Sequence, residues 1–165
     1  MLEDVIAVTE TVSSFTGGAH PNLFIRGFNY RKGEIIPLQL STFIADEPAF
    51  HGLVIKDLFG QRVERGFEEF EIASIDAGLG GALIPSEEVE EVYSGRFVLE
   101  ASTDAGKLGG ISVLFSPYDV GSYAEGTYTV TLTADELIPI LTETWAGRFG
   151  GEPLFTQDAP VSEQQ

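Results

Sequence analysis

Cysteine is absent from the 165 residues, which removes disulfide frameworks, thiolate zinc sites and cysteine nucleophiles in one step. Histidine is almost as scarce, with His20 and His51 the only imidazoles. Basic residues are few: nine Lys and Arg stand against 26 Asp and Glu, a formal net charge of −17. A surface of that sign repels phosphate backbones and anionic lipid, so nucleic acid is not an expected partner, whereas a strongly cationic protein would be steered in. No apolar run reaches the roughly 18 residues of a membrane helix. The N-terminus shows neither the basic start nor the apolar stretch of a signal peptide, so any targeting segment is expected outside this chain.

What is present argues for a folded domain. Hydrophobic residues make up 43% and aromatics 11%, too apolar for a disordered chain. A chain of this size buries roughly 70% of its unfolded surface, enough for a core without staples. The β-branched stretch from Glu3 to Phe15 and the segment Leu23 to Tyr30 read as strands. The turn Arg31-Lys-Gly-Glu34 then leads into Ile35, Ile36 and Leu38, and together these make a hairpin region.

Phe50, Leu53, Val54, Leu58 and Phe59 recur at helical spacing between Asp46 and Arg65, with Asp46 and Glu47 before Pro48 marking the start. Ser86 caps a short acidic helix, Glu87 to Tyr93, which Gly95 ends. Arg96 to Ala101 and Ile111 to Phe115 read as paired strands joined by a loop holding Gly106, Gly109 and Gly110. Thr127 to Leu132 alternates Tyr128, Val130 and Leu132 with threonines, a strand with one buried face. Thr133-Ala-Asp-Glu136 has capping-box spacing, and Leu137, Ile140, Leu141 and Trp145 supply the stripe of one helix closed by Gly147. The expected architecture is α+β: a β-sheet with helices packed on one face, one compact domain over residues 1–150. Residues 151–165 are expected to form a polar, flexible tail.

Catalytic patterns are missing. No Gly-x-Ser-x-Gly elbow and no His-Glu-x-x-His pair occurs, and no Asp-x-Asp-x-Asp-Gly calcium loop. Gly78-Leu-Gly-Gly81 lacks the P-loop lysine and reads as a connection. The carboxylates at Asp46/Glu47, Glu68/Glu69/Glu71, Glu87/Glu88/Glu90/Glu91 and Asp135/Glu136 read as helix caps and solvated faces, since nothing marks one for the desolvation an acid catalyst needs. The expectation is therefore no enzyme, no cofactor and no metal. His20, at a turn after a double glycine, and Tyr118, Asp119 and Tyr123, in the stretch Phe115-Ser-Pro-Tyr-Asp-Val-Gly-Ser-Tyr-Ala-Glu-Gly126, are the candidate partner-binding residues. The two tyrosines are also expected to sit in a packed corner, where truncation to alanine costs about 3–5 kcal/mol.

That stretch, continued through Thr127-Tyr-Thr-Val-Thr-Leu-Thr-Ala-Asp-Glu-Leu137, resembles the closing motif of the RsiV-type C-terminal domain: Pro-Tyr-Glu, Tyr-Ala-x-Gly, a strand and a Glu-Leu helix. Thr16-Gly-Gly-Ala-His20 and Asn29-Tyr-Arg-Lys-Gly-Glu-Ile-Ile-Pro-Leu38 resemble the same family's Gly-Gly-Ala-His turn and hairpin, so the likeness runs from about Val12 to Leu141. Asp119 replaces the family's glutamate, Gly121-Ser122 replace alanine-proline, and the companion domain that normally precedes this one is expected to lie mostly outside these residues. The family includes RsiV anti-sigma factors, whose extracytoplasmic domain binds lysozyme, and the polysaccharide deacetylase PdaC, which carries a similar domain beside its catalytic one.

The resemblance implies an α+β fold and a non-catalytic binding or sensing role beyond the inner membrane, in the periplasm or at the cell surface. The partner it implies is a cationic protein such as lysozyme, or a cell-wall component. Two alternatives stay open: an accessory domain of a cell-wall polysaccharide-modifying enzyme, or a structural envelope lipoprotein domain.

Overall fold

Three largely buried strands build the centre of the molecule. In a computed structural model, which describes residues 3–67 and 86–154, the element order is β1 (Val5–Ser14), β2 (Asn22–Arg31), α1 (Glu47–Glu64), α2 (Ser86–Tyr93), β3 (Phe97–Ser102), β4 (Leu108–Phe115), β5 (Tyr128–Thr133), α3 (Ala134–Leu137), α4 (Glu143–Ala146) and β6 (Pro153–Leu154), with single 3₁₀ turns at Leu40–Thr42, Tyr123–Glu125 and Ile138–Ile140. Strands β5, β4, β3 and β6 form an antiparallel sheet in that spatial order, and β1 pairs with β2 in a separate hairpin. Register sets Leu99 opposite Ile111 and Ile111 opposite Leu132, and likewise Phe97, Val113 and Val130 in one row. These side chains share one sheet face because successive residues point to opposite sides. Phe50, Val54 and Leu58 of α1 pack with them in the buried core, as do Leu137 and Trp145. The fold is α+β, as the sequence predicts.

The hairpin is fastened to this sheet by an exchange of groups rather than a full ladder. Gly27 N donates to Gly95 O at 3.0 Å, and a Cβ at Gly27 would lie 2.6 Å from the Phe97 carbonyl oxygen, so only glycine lets the strands approach this closely. Two residues on, the buried Asn29 side chain donates to Phe97 O at 2.9 Å and accepts from Leu99 N at 2.8 Å. The amide side chain thus bonds as a strand backbone would, on the edge of β3 that faces away from β4.

Four expectations are corrected. Residues 35–38 do not continue the hairpin: Ile35 and Ile36 are 91% and 75% exposed, and Pro37 lacks the N–H a ladder needs. Gly109 and Gly110 lie inside β4, not in a loop. Glu100 pairs with Gly110 and Ala101 with Leu108, so Gly109 is the extra residue of a bulge, with the β6 backbone passing where its Cβ would stand. The helix after Thr133 is three short pieces, because Pro139 removes an N–H and crowds the preceding turn. Pro153 and Leu154, expected to lie in a flexible tail, instead pair with Ser102 and Ala101 as β6; residues 155–165 lie outside the described residues.

Three of the helix-end signals hold; the Ser86 side chain lies outside the described residues. The Asp46 side chain accepts from Ala49 N at 3.0 Å at the start of α1. The Glu136 carboxylate accepts from both the amide and the hydroxyl of Thr133, at 2.9 and 2.8 Å, the reach-back half of a capping box. Gly95, with φ 67°, follows α2 as a helix-ending glycine.

Candidate binding surface

After β4 the chain turns at residues 116–119. Asp119 N donates to Ser116 O at 3.1 Å, and the Asp119 carboxylate accepts from Ser116 N at 2.7 Å. Pro117 holds the first corner position and Tyr118 the second, at φ 77°. That is the shape of a type II turn, in which glycine or asparagine usually takes the second corner. A tyrosine there carries backbone strain of roughly 1–3 kcal/mol.

The strained turn aims the Tyr118 ring outward, 63% exposed, beside His20 from the β1–β2 connection. The phenol of Tyr118 and Nε2 of His20 are 3.2 Å apart, and Nδ1 of His20 lies 3.3 Å from Pro21 O. One neutral tautomer satisfies both: Nδ1–H donates to the carbonyl and Nε2 accepts from the phenol. The imidazole also stacks on Tyr123 with centroids 3.5 Å apart and planes 14° from parallel, while the Tyr123 hydroxyl donates to Pro21 O at 2.9 Å. Three of the four residues singled out in the sequence therefore meet, across about a hundred positions.

The fourth does not join them. Asp119 forms an ion pair with Arg96, tying the turn to the start of β3. Tyr118 also departs from the packed corner expected of it, because its ring is largely in solvent; Tyr123 is half-buried.

Next to this cluster lies an open groove of about 1000 Å³, walled by Phe24 and Phe28 of β2, by Ile36 and Glu34 on the loop, and by Arg96 and Asp119. The Ser116 hydroxyl accepts from Ile25 N at 3.0 Å where β2 meets the turn, so hairpin and corner share one surface. Among the described residues no group of three or more His, Asp or Glu is placed to hold a metal ion. Among the described residues two carboxyls are pushed above the ordinary range, Glu100 by burial and Glu47 by burial and then by neighbouring Glu90; neither lines the groove. Glu90 accepts from Leu40 N and Ser41 N at 2.9 and 2.7 Å, so it caps the start of the 3₁₀ turn, a capping role of the kind read for these carboxylates. Residues 68–85, with Gly78-Leu-Gly-Gly81 and the Glu68/Glu69/Glu71 cluster, lie outside the described residues.

The sequence reading missed the residues that hold this surface in place: Asn29, Arg62, Arg96 and Glu125. Asn29 opens the stretch that resembles the family hairpin, and Glu125 alone carried a local capping signal. It stands three positions after Ser122, the spacing of a capping box, and its carboxylate accepts from Ser122 N at 2.8 Å.

Solved structures with the same arrangement settle the fold type. A DUF3298 family member from Bacteroides fragilis superposes with a TM-score of 0.57 at 16% identity, covering 88% of this chain and 52% of its own. A DUF3298 family protein from Pseudomonas aeruginosa gives a TM-score of 0.54 at 13% identity, covering 93% of this chain and 60% of its own. The chain shares the DUF3298 fold. This is the domain type that the motifs between residues 12 and 141 resemble. No family model matches the sequence, and no curated protein matches it. The chain spans between half and three-fifths of the two DUF3298 chains it matches, and identity this low carries the fold alone.

Proposed function

We propose that this chain is a non-catalytic binding or sensing domain that works outside the cytoplasm and recognises a cationic protein, with a cell-wall hydrolase such as lysozyme the sharpest candidate. The observation that carries the reading is the His20–Tyr118–Tyr123 surface cluster, with Tyr118 exposed, beside an open groove, set on a chain of net charge −17. Aromatic residues supply contact area at low entropic cost and mark many recognition surfaces. The acid excess supplies steering rather than specificity. Likeness to the RsiV-type domain supports the partner class and the location.

Calorimetric titration with a cationic lysozyme at low and physiological salt, beside a size-matched acidic control protein, tests it. Saturable binding that persists at physiological salt and weakens on His20→Ala, with melting unchanged, is the expected result. Heats that vanish with salt, or that equal those of the control, would leave charge alone and remove lysozyme as the partner.

A second reading has one observation in its favour: the outward ring of Tyr118 offers an open aromatic face, as sugar-binding surfaces do. In that case the domain is an accessory to a wall-polysaccharide enzyme. Peptidoglycan oligomers in place of lysozyme would then give the saturable signal.

A further inference from the structure

Strand β1 has one partner. Among the described residues it pairs with β2 alone, so along its other edge the backbone N–H and C=O groups of a ten-residue strand have no strand beside them. Proteins ordinarily blunt such an edge with lysine, proline or a bulge. Val5–Ser14 contains no lysine, arginine or proline, and its register with β2 runs unbroken from Val5 opposite Arg31 to Ser14 opposite Asn22.

The side chains beside that edge have a pattern. Ile6, Val8, Glu10 and Val12 share one face, and the register sets them opposite Tyr30, Phe28, Arg26 and Phe24. Ile6, Val8, Val12 and Phe24 remain 42–49% exposed. Glu10 is the only charged residue of β1, and its link to Arg26 is loose, 4.0 Å between two well-exposed side chains. β1 therefore reads apolar, apolar, acid, apolar, and β2 answers it aromatic, aromatic, cation, aromatic. The outer edge offers the same face to a second strand, and that face runs on into the groove through Phe24, Arg26 and Phe28.

A second copy of this chain is a poor occupant. It would bring −17 against −17, and one strand pair about 34 Å long covers on the order of 400 Å² per partner, near half of what a stable dimer buries. A cationic guest meets the opposite situation, being drawn in by the field and paired at Glu10. We propose that the outer edge of β1 receives an extended cationic segment of a partner protein as an antiparallel strand, with apolar side chains opposite Ile6, Val8 and Val12 and a lysine or arginine opposite Glu10. Backbone bonds supply the attachment and the alternate side chains the selection. The proposal deepens the reading above by naming what the partner presents, and it rests on the strand edge, not on the His20 cluster.

The probe is a ten-residue peptide copying Asn22–Arg31, titrated into the full chain and followed through backbone amide resonances. Saturable shifts in β1 amides, with slowed exchange of those facing outward, are expected. Replacing the peptide's central arginine by glutamate weakens binding by roughly three- to fivefold, the size of an exposed cross-strand charge pair, and Glu10→Lys in the domain reverses that preference. Shifts confined to the groove or the His20 corner overturn the proposal. So do loss of the native β2 resonances, which means strand exchange, and an unchanged preference in Glu10→Lys. Rapid self-crosslinking of Thr9→Cys overturns it too, because a second copy then occupies the edge. Peptide bound on β1 without lysozyme binding removes lysozyme and keeps the edge; lysozyme bound without β1 shifts does the reverse.

Discussion

Arg62 and Glu125 meet at 3.1 Å in the interior, each side chain only 2% exposed, at a sequence separation of 63. The same carboxylate accepts from the Tyr128 hydroxyl at 2.9 Å, and Arg62 donates to Val120 O at 2.8 Å. Helix α1 thereby clasps the segment that follows Tyr118 and contains Tyr123. The surface aromatics depend on a charge pair buried beneath them.

Glu125→Gln keeps the shape and removes the charge. Breaking a buried pair by removing one partner costs about 3–5 kcal/mol, so urea unfolding of the variant should show a loss near the lower end, because glutamine still accepts hydrogen bonds. A change below about 1 kcal/mol would mean the pair contributes no more than one at the surface.

Asn29→Ala strips Phe97 O and Leu99 N of their partner in a buried setting. Each orphaned group costs about 1–3 kcal/mol, giving an expected loss of roughly 2–5 kcal/mol in the midpoint-derived stability. Asn29→Asp should fall between the two proteins if Leu99 N keeps its acceptor. Equal losses for both variants would argue that the Phe97 bond alone matters.

Tyr118→Gly tests the strained turn. Glycine accepts the positive φ without penalty, so the variant should melt at or above the parent, and Tyr118→Ala should differ from it by no more than about 1 kcal/mol. A drop of several kcal/mol in either would return Tyr118 to the packed corner that its sequence context suggested.

The raised carboxyl of Glu100 sets a pH dependence. Its folded-state pKa lies above the unfolded value because burial disfavours the charged form, with the Ser112 hydrogen bond opposing. The folded protein therefore binds the proton more tightly, and between the two pKa values stability falls as pH rises. Glu100→Gln should raise stability at neutral pH and flatten the gain seen on acidification toward the ordinary glutamate range, as thermal melts across that window would show. A steeper acid gain in the variant would point to another group.

Much of the architecture was legible because it follows from short-range rules. The β5 alternation, the pairing of β3 with β4, the Asp46 cap and the Glu136 reach-back are local patterns, and each stands close to where the sequence sets it. The errors came where a single residue overrides a longer pattern. Pro139 cuts a stripe that otherwise fits one helix, Pro37 stops a strand, and Gly109 belongs to a bulge that only a second and third strand reveal. The sites divide the same way. His20, Tyr118 and Tyr123 were visible as unusual residues in turns, but their meeting was not, and Asp119 proved to serve the turn and Arg96.

The sequence by itself determined the fold class, the acidic surface and the list of aromatic turn residues, because composition and periodicity reflect burial and backbone preference at each position. Only the tertiary structure decided that Asn29 completes the edge of β3, that Arg62 pairs with Glu125, and that among the described residues no strand lies on the outer edge of β1. Those relationships join positions far apart in the chain, and a hydrogen bond or ion pair leaves no periodic trace in sequence when its partners meet only after the chain has folded.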